Sequence, residues 1–222
     1  PLGTDQLGRC VFSRLLWGGR LSLGAALAAS LLALAWGACL GLAAGLGGRR
    51  ADACLNLFID AALALPGLML ALVLTGMLGA SLPSLVLGLA GASWAWWARL
   101  VRGLAQTAAH KEYVLAGRAV GVRGTRLLMG YIFPQLREPV LAAAALKTGW
   151  IILAISGLSY LGLGAQPPAP EWGGMLSESR LYLTQAPWMM LGPGAAITLT
   201  VGACTLLGEG LQQAGGPRLR EY

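Results

Sequence analysis

EYVLAGRAVGVRGTRLLMGYIFP, residues 112–134, is a charged, glycine-punctuated segment set between hydrophobic runs long enough to cross a bilayer. The runs on either side decide the fold. The chain is 56% hydrophobic and only 11% charged, with a mean hydropathy of +0.66, a balance no ordinary soluble domain of 222 residues shows. No charge interrupts the stretches between Arg20 and Arg49, Asp60 and Arg99, or Arg180 and Glu209, and only Lys147 interrupts Glu138 to Glu171. Roughly 20 apolar residues make one helical crossing. The second stretch exceeds one helix and contains GASLPS at 79–84, which predicts two crossings joined by a tight turn.

The expectation is an all-α membrane protein, a polytopic helix bundle in a single domain over 1–222. Its five spans are placed near 22–46, 57–79, 83–101, 139–163 and 188–209, with a cytoplasmic loop at about 105–135. The runs are rich in Leu, Ala and Gly and lack the alternation of a barrel wall. Trp94, Trp96 and Trp97 stand where an aromatic belt would anchor the third span. Arg9, Arg14, Arg20 and Arg180 fall on one side of this topology. Arg49, Arg50, Arg99, Arg102, Lys111, Arg118, Arg123, Arg126, Arg137, Arg218 and Arg220 fall on the other, which the positive-inside rule places in the cytoplasm. Topology thus accounts for the net charge of +7, and no basic helix or aromatic-studded strand remains for a nucleic-acid partner.

No catalytic or metal-binding constellation emerges. Cys10, Cys39, Cys54 and Cys204 are scattered without a C-x-x-C pair, and His110 is the single histidine, so the usual nitrogen and sulfur ligand sets cannot be built. Lys111 and Lys147 are the only lysines, and neither follows the glycines of a phosphate loop. The chain itself is expected to bind no cofactor and to hydrolyse no ATP.

Within the spans, Gly37, Gly41 and Gly45 recur every four residues, lining one helix face with hydrogen so that a neighbour can approach closely. A packing seam and a pore-lining face are both open. Asp60 is a carboxylate near a span's end, costly unless paired, solvated or facing a cavity, and Pro66 can kink the same helix. The pair fits either a bent helix beside a watery pathway or an interfacial Asp near Arg49 or Arg50. Lys147 is open between snorkelling and facing a cavity.

In the loop, Tyr113, Ala116, Gly117 and Val120 follow i, i+3, i+4, i+7 spacing and form one helical face, flanked by Lys111, Glu112 and Arg118. Gly121 permits the positive φ that ends a helix. A second amphipathic stretch sets Leu127, Leu128, Tyr131 and Ile132 against Arg123 and Arg126, with Pro134 expected to stop it. Two readings fit: a short helix lying in a partner's groove, or an amphipathic hairpin on the membrane surface.

The segment resembles the EAA loop of the membrane subunits of ATP-binding-cassette importers, through Ala116 and Gly117, then Gly121, then Ile132, Phe133 and Pro134. Glu112, Tyr113 and Val114 resemble the start of that loop in the dipeptide, oligopeptide and nickel branch. LGTDQLGRCVFSRLLWGGRLSLG at 2–24, Asp60 with Pro66, WAWWARLVR at 94–102 and LSYLGLGAQPPAPEWGGML at 158–176 agree with that branch. The family commonly has Ala at Gly117, His at Tyr131, Asn at Gln135 and Asp at Cys10. It also has six spans, so the chain is expected to be a fragment or trimmed form lacking the first.

The resemblance implies a type I importer permease fold in a bacterial inner membrane. Glu112, Tyr113, Ala116, Gly117, Gly121 and Pro134 would contact one of two separate ATPase subunits, which use ATP and magnesium. A second permease would complete the pathway, and an extracytoplasmic solute-binding protein, meeting the loop at 164–187, would deliver cargo. WAWWARLVR resembles the nickel-type members, which favours nickel or a metal chelate, with dipeptides or oligopeptides as the alternative. An ion-gradient-driven secondary transporter or a non-transporting structural subunit are the readings from other classes. The former needs inverted repeats and carboxylate relays.

Overall fold

A computed structural model describes residues 3–215; Arg218 and Arg220, counted above for topology, lie outside the described residues. The described chain is helical: α1 (Val11–Leu46), α2 (Arg49–Leu63), α3 (Gly67–Leu78), α4 (Leu82–Ala109), α5 (Glu112–Ala119), α6 (Gly124–Leu127), a π-helical turn (Leu128–Ile132), α7 (Phe133–Tyr160), α8 (Trp172–Ser179), a 3-10 turn (Arg180–Tyr182) and α9 (Trp188–Gly215). Among the described residues, α1, the stretch Gly124–Tyr160 and α9 are each long and apolar enough to cross a membrane, and α2 with α3 pass together as an interrupted pair. The expected third span lies inside α4, where three tryptophans and Arg99 lower the hydropathy. The expected second span, 57–79, is interrupted at Ala64–Pro66, since a proline disfavours helical backbone in the residue before it.

Two compact units form, one of Pro1–Leu31, Gly67–Ala92 and Lys147–Leu206, the other of Leu32–Pro66, Ser93–Leu146 and Leu207–Tyr222. In the first, Ala26, Ala29, Ala71, Leu85, Leu89, Ile151, Ile152 and Ile155 make a buried core. Helix α1 begins well before the expected residue 22, because its first turns have partners of their own. Arg14 donates to Asp5 and to Glu178, both at 2.8 Å. Asp5 also accepts the backbone N–H groups of Leu7 and Arg9 at 2.9 and 2.8 Å and the Arg9 side chain at 2.7 Å. Burial works to raise the Asp5 carboxyl, but these hydrogen bonds and the Arg9 charge outweigh it and hold the pKa below its ordinary 3.8.

The 164–187 stretch, expected as a loop, contains α8. Glu171 is fully buried and caps α8 by accepting from the N–H groups of Gly173 and Gly174 at 3.1 and 3.0 Å. It also accepts from the Ser22 hydroxyl at 2.9 Å, and Trp172 donates its indole N–H to the Leu15 carbonyl at 2.9 Å. Sequence reading gave Glu171 and Trp172 to an exposed loop. They are interior posts between α1 and α8.

In the second unit, the glycines of α1 meet α4 in register. A Cβ on Gly37 would fall inside the envelope of Trp97 Cβ and the Trp94 carbonyl oxygen. One on Gly41 would lie 2.5 Å from the Ala98 carbonyl oxygen and 3.0 Å from Val101 Cβ, and one on Gly45 3.0 Å from the Arg102 carbonyl oxygen. Each step of four in α1 advances four in α4, so the two backbones approach closely at three points over about two turns. Asp60 pairs with Arg99, not with Arg49 or Arg50, and accepts from Asn56 at 2.8 Å. Arg102 holds Asp52 through two nitrogens at 2.5 and 2.9 Å, and Gln106 joins at 3.2 Å.

Gly37→Ala is expected to force α1 and α4 apart and cost about 1–3 kcal/mol, read as a lower melting temperature in detergent; an unchanged melt would contradict the close backbone contact. The Asp5 contribution to stability is complete above the unfolded pKa near 3.8 and is lost as pH falls through the lower folded value. Melting temperatures from pH 6 to 3 should therefore show the parent's advantage over Asp5→Asn shrinking only below about pH 4.

Candidate functional site

The segment that opened the sequence reading folds against the end of α4. Val114 is fully buried and enters a cluster with Val101, Ala105, Ala108, Leu127, Ile132 and Leu136. That one side chain anchors α5, while Glu112, Leu115, Ala116, Arg118, Ala119 and Val120 are exposed around it. Val120, at 81%, is among the most exposed apolar residues of the described chain. An eight-residue helix is too short to persist alone in water, so α5 owes its shape to this anchor and its C-terminal cap.

The C-terminal cap is a Schellman turn. Val122 N–H donates to the Gly117 carbonyl and Gly121 N–H to the Arg118 carbonyl, both at 3.0 Å, with Gly121 at φ +89°. Nothing lies within 4 Å of where a Gly121 Cβ would be, so the glycine is required by conformation, with open space beyond it. Lys111 Nζ donates to the Gln135 side-chain oxygen at 2.8 Å, tying the start of α5 to the first turn of α7.

The face expected from i, i+3, i+4, i+7 spacing divides. Ala116 and Val120 are outward, whereas Gly117 is buried: a Cβ there would stand 3.0 Å from Cε1 of Tyr131. Tyr113 is 40% exposed and stacks on Tyr131, with ring centroids 6.4 Å apart and planes 14° from parallel. Its hydroxyl donates to the Tyr131 carbonyl oxygen at 3.3 Å. Tyr131 was read from sequence as part of an amphipathic stripe and as a departure from the usual His, and its ring is the neighbour Gly117 makes room for.

Pro134 does not stop the second stretch. It lies in the first turn of α7, and the helix runs through from Gly124 to Tyr160. Pro134 has no N–H for the Gly130 carbonyl four residues before it, and its ring crowds that carbonyl. The backbone widens instead into the π turn, where Phe133 N–H donates to the Leu128 carbonyl. Asp60, Pro66 and the Gly37, Gly41 and Gly45 face belong to other parts of the molecule and are not brought to this surface.

The surface is an exposed short helix, anchored by one residue, capped by a glycine and joined through a π turn to a long apolar helix. It holds no nucleophile–base pair, and among the described residues no group of His, Cys, Asp or Glu is placed to hold a metal. Residues 37–221 match the family described as binding-protein-dependent transport system inner membrane component. The chain is 40% identical over 99% of its length to the di/tripeptide transport system permease protein DppC of Pseudomonas aeruginosa, covering 72% of that protein. It is 38% identical over 98% of its length to the dipeptide transport system permease protein DppC of Alkalihalophilus pseudofirmus, covering 72% of it. It is 37% identical over 98% of its length to the nickel transport system permease protein NikC of Escherichia coli K12, covering 79% of it. The fold is shared with a crystal structure of an amino acid ABC transporter with histidines, at a TM-score of 0.65 and 17% identity over 93% of this chain and 94% of that one. The chain belongs to the binding-protein-dependent inner membrane component family, as a permease subunit of an ATP-binding-cassette importer in the dipeptide, oligopeptide and nickel branch.

Proposed function

We propose that this subunit forms half of a translocation pathway driven by separate ATPase subunits, and that α5 is the helix on which one of them seats. The observation that carries the reading is the combination in α5: an outward surface of Leu115, Ala116, Ala119 and Val120, flanked by Glu112 and Arg118, on a helix fixed from beneath by Val114. A helix presented this way suits a groove in a partner. ATP and magnesium act on the partner ATPases, a second permease completes the pathway, and a solute-binding protein delivers cargo on the opposite face. The positive-inside count puts α5 on the cytoplasmic side. Rigid-body movement of the docked ATPases then opens the pathway to alternate sides.

For cargo we favour short peptides, with nickel or a metal chelate as the second reading. The nickel reading rests on WAWWARLVR, and these residues are engaged inside their own unit. Trp97 is fully buried, Trp94 stacks on Phe58 at 5.3 Å, Ala98 lies under Gly41, and Arg99 and Arg102 are paired with Asp60 and Asp52. Their type is explained by packing, which leaves the names of the di- and tripeptide relatives as the stronger pointer.

Gly121→Asp introduces a side chain at φ +89° and a charge at the docking surface. Expressed with its genomic neighbours, the parent should co-purify with a P-loop ATPase and drive ATP-dependent uptake. The variant should insert normally, lose the ATPase and lose uptake at least tenfold. Normal uptake by the variant would sink the docking assignment. Parallel assays with a labelled dipeptide and with ⁶³Ni²⁺ choose between the two cargo readings.

A further inference from the structure

Beside the Lys111–Gln135 hydrogen bond and the cluster that Val114 shares with Ile132 and Leu136, one aromatic side chain links α5 to the long helix that follows it. The Tyr131 ring spans α5 from its first turn to its last. It stacks on Tyr113 at one end, and at the other its Cε1, Cζ and Cδ1 lie 3.0, 3.4 and 3.5 Å from the position of a Gly117 Cβ. The Tyr113 hydroxyl returns to the Tyr131 carbonyl at 3.3 Å. Tyr131 belongs to the π turn Leu128–Ile132, which runs directly into α7. Ile132, its neighbour, is buried beside Val114. A displacement of α5 therefore meets the Tyr131 ring on two sides, at Tyr113 and at Gly117. A ring held between another ring and a bare backbone has little freedom to rotate away.

We propose that Tyr131 is the positioning residue that carries movement of α5 into α7, and that Gly117 is there to seat its ring. This rests on the reading of α5 as the ATPase-docking helix. The π turn is a suitable receiver. It has one residue more per turn than the α-helix on either side, so it can yield locally while the helix stays continuous. Gly117, by this account, acts through Tyr131 and makes no contact with the ATPase; the outward residues Leu115, Ala116, Ala119 and Val120 do that.

The test uses the complex assembled with its ATPase and second permease in liposomes, with Gly121→Asp as a control for docking. Hydrogen exchange of residues 124–137 is compared between nucleotide-free and ATP-plus-vanadate states, a readout that does not depend on cargo. The parent should show a nucleotide-dependent change that Tyr131→Ala loses although the ATPase still co-purifies. With labelled dipeptide or ⁶³Ni²⁺, whichever the parent accumulates, uptake per ATP hydrolysed should fall at least tenfold in Tyr131→Ala. Gly117→Ala should lower it severalfold, and the double variant Gly117→Ala/Tyr131→His should recover part of that loss. If Tyr131→Ala does not assemble, the Gly117→Ala and double-variant comparison decides by itself.

A parent-like exchange response and coupling ratio in Tyr131→Ala overturn the proposal. So does a double variant no better than Gly117→Ala. Should Gly121→Asp also leave ATPase binding and uptake intact, it is the docking reading that has failed. If Gly121→Asp disrupts both while the Tyr131 and Gly117 variants behave as the parent, docking stands and the Tyr131 strut alone is wrong.

Discussion

Contact between the backbones of α1 and α4 at Gly37, Gly41 and Gly45 is the constraint on which the second unit depends. A lipid bilayer provides no hydrophobic drive for one apolar helix to leave lipid for another, so association rests on close packing. Here the closeness is extreme: at Gly37 even a methyl group has no place. With α4 held against α1 over this length, Val101, Ala105 and Ala108 present a fixed surface at its far end. Val114 of α5 and Leu127 and Ile132 beyond it settle on that surface. The exposed helix is thus positioned through α4 by the glycine seam, whose last contact, Gly45 on Ala105, adjoins the cluster that holds Val114, and a change in the seam would be felt at α5.

The charges of the N-terminal segment and the N-terminus of α8 are handled by enclosure. Asp5 gathers Leu7, Arg9 and Arg14, and Arg14 reaches on to Glu178. Glu171 accepts instead from a hydroxyl and two helix-terminal N–H groups. Buried carboxylates cost several kcal/mol when unsatisfied; here local partners satisfy most of the need, and the distant Arg14–Glu178 and Ser22–Glu171 contacts add the ties across the unit. They fasten the N-terminal segment and α8 to one another within the first unit, which explains why α1 extends so far beyond its apolar core.

What could be read from the sequence followed from periodicity and chain length. The four-residue spacing of Gly37, Gly41 and Gly45 marked one face because helical geometry fixes which residues share it. Gly121 was readable as a helix end because few other residues accept its φ. Resemblance supplied the family, which composition alone could not. The misreadings share a cause: they needed a partner from elsewhere in the chain. Asp60 could be seen to need a cation, but Arg99 and Arg49 are equally plausible on paper. Glu171 and Trp172 sit in a stretch full of prolines, which hides an interior cap inside loop-like composition. The missed π turn has the same origin, since a proline after an apolar stretch ends some helices and merely widens others, and support from neighbouring packing determines which.

Gly117 and Tyr131 carry the argument one step further. Both depart from the pattern of the family the segment resembles, with Gly where Ala is usual and Tyr where His is usual, and singly each looks like weakening of the motif. In the folded chain they are the same contact. A phenol ring reaches farther than an imidazole, and the room it needs is the volume of the methyl group that Gly117 lacks. The contact lies on the inner side of α5, since Gly117 is buried while Leu115, Ala116, Ala119 and Val120 face outward. It is invisible along the sequence, where the two positions stand fourteen residues apart by the numbering, and becomes evident only when the ring is seen lying on the glycine.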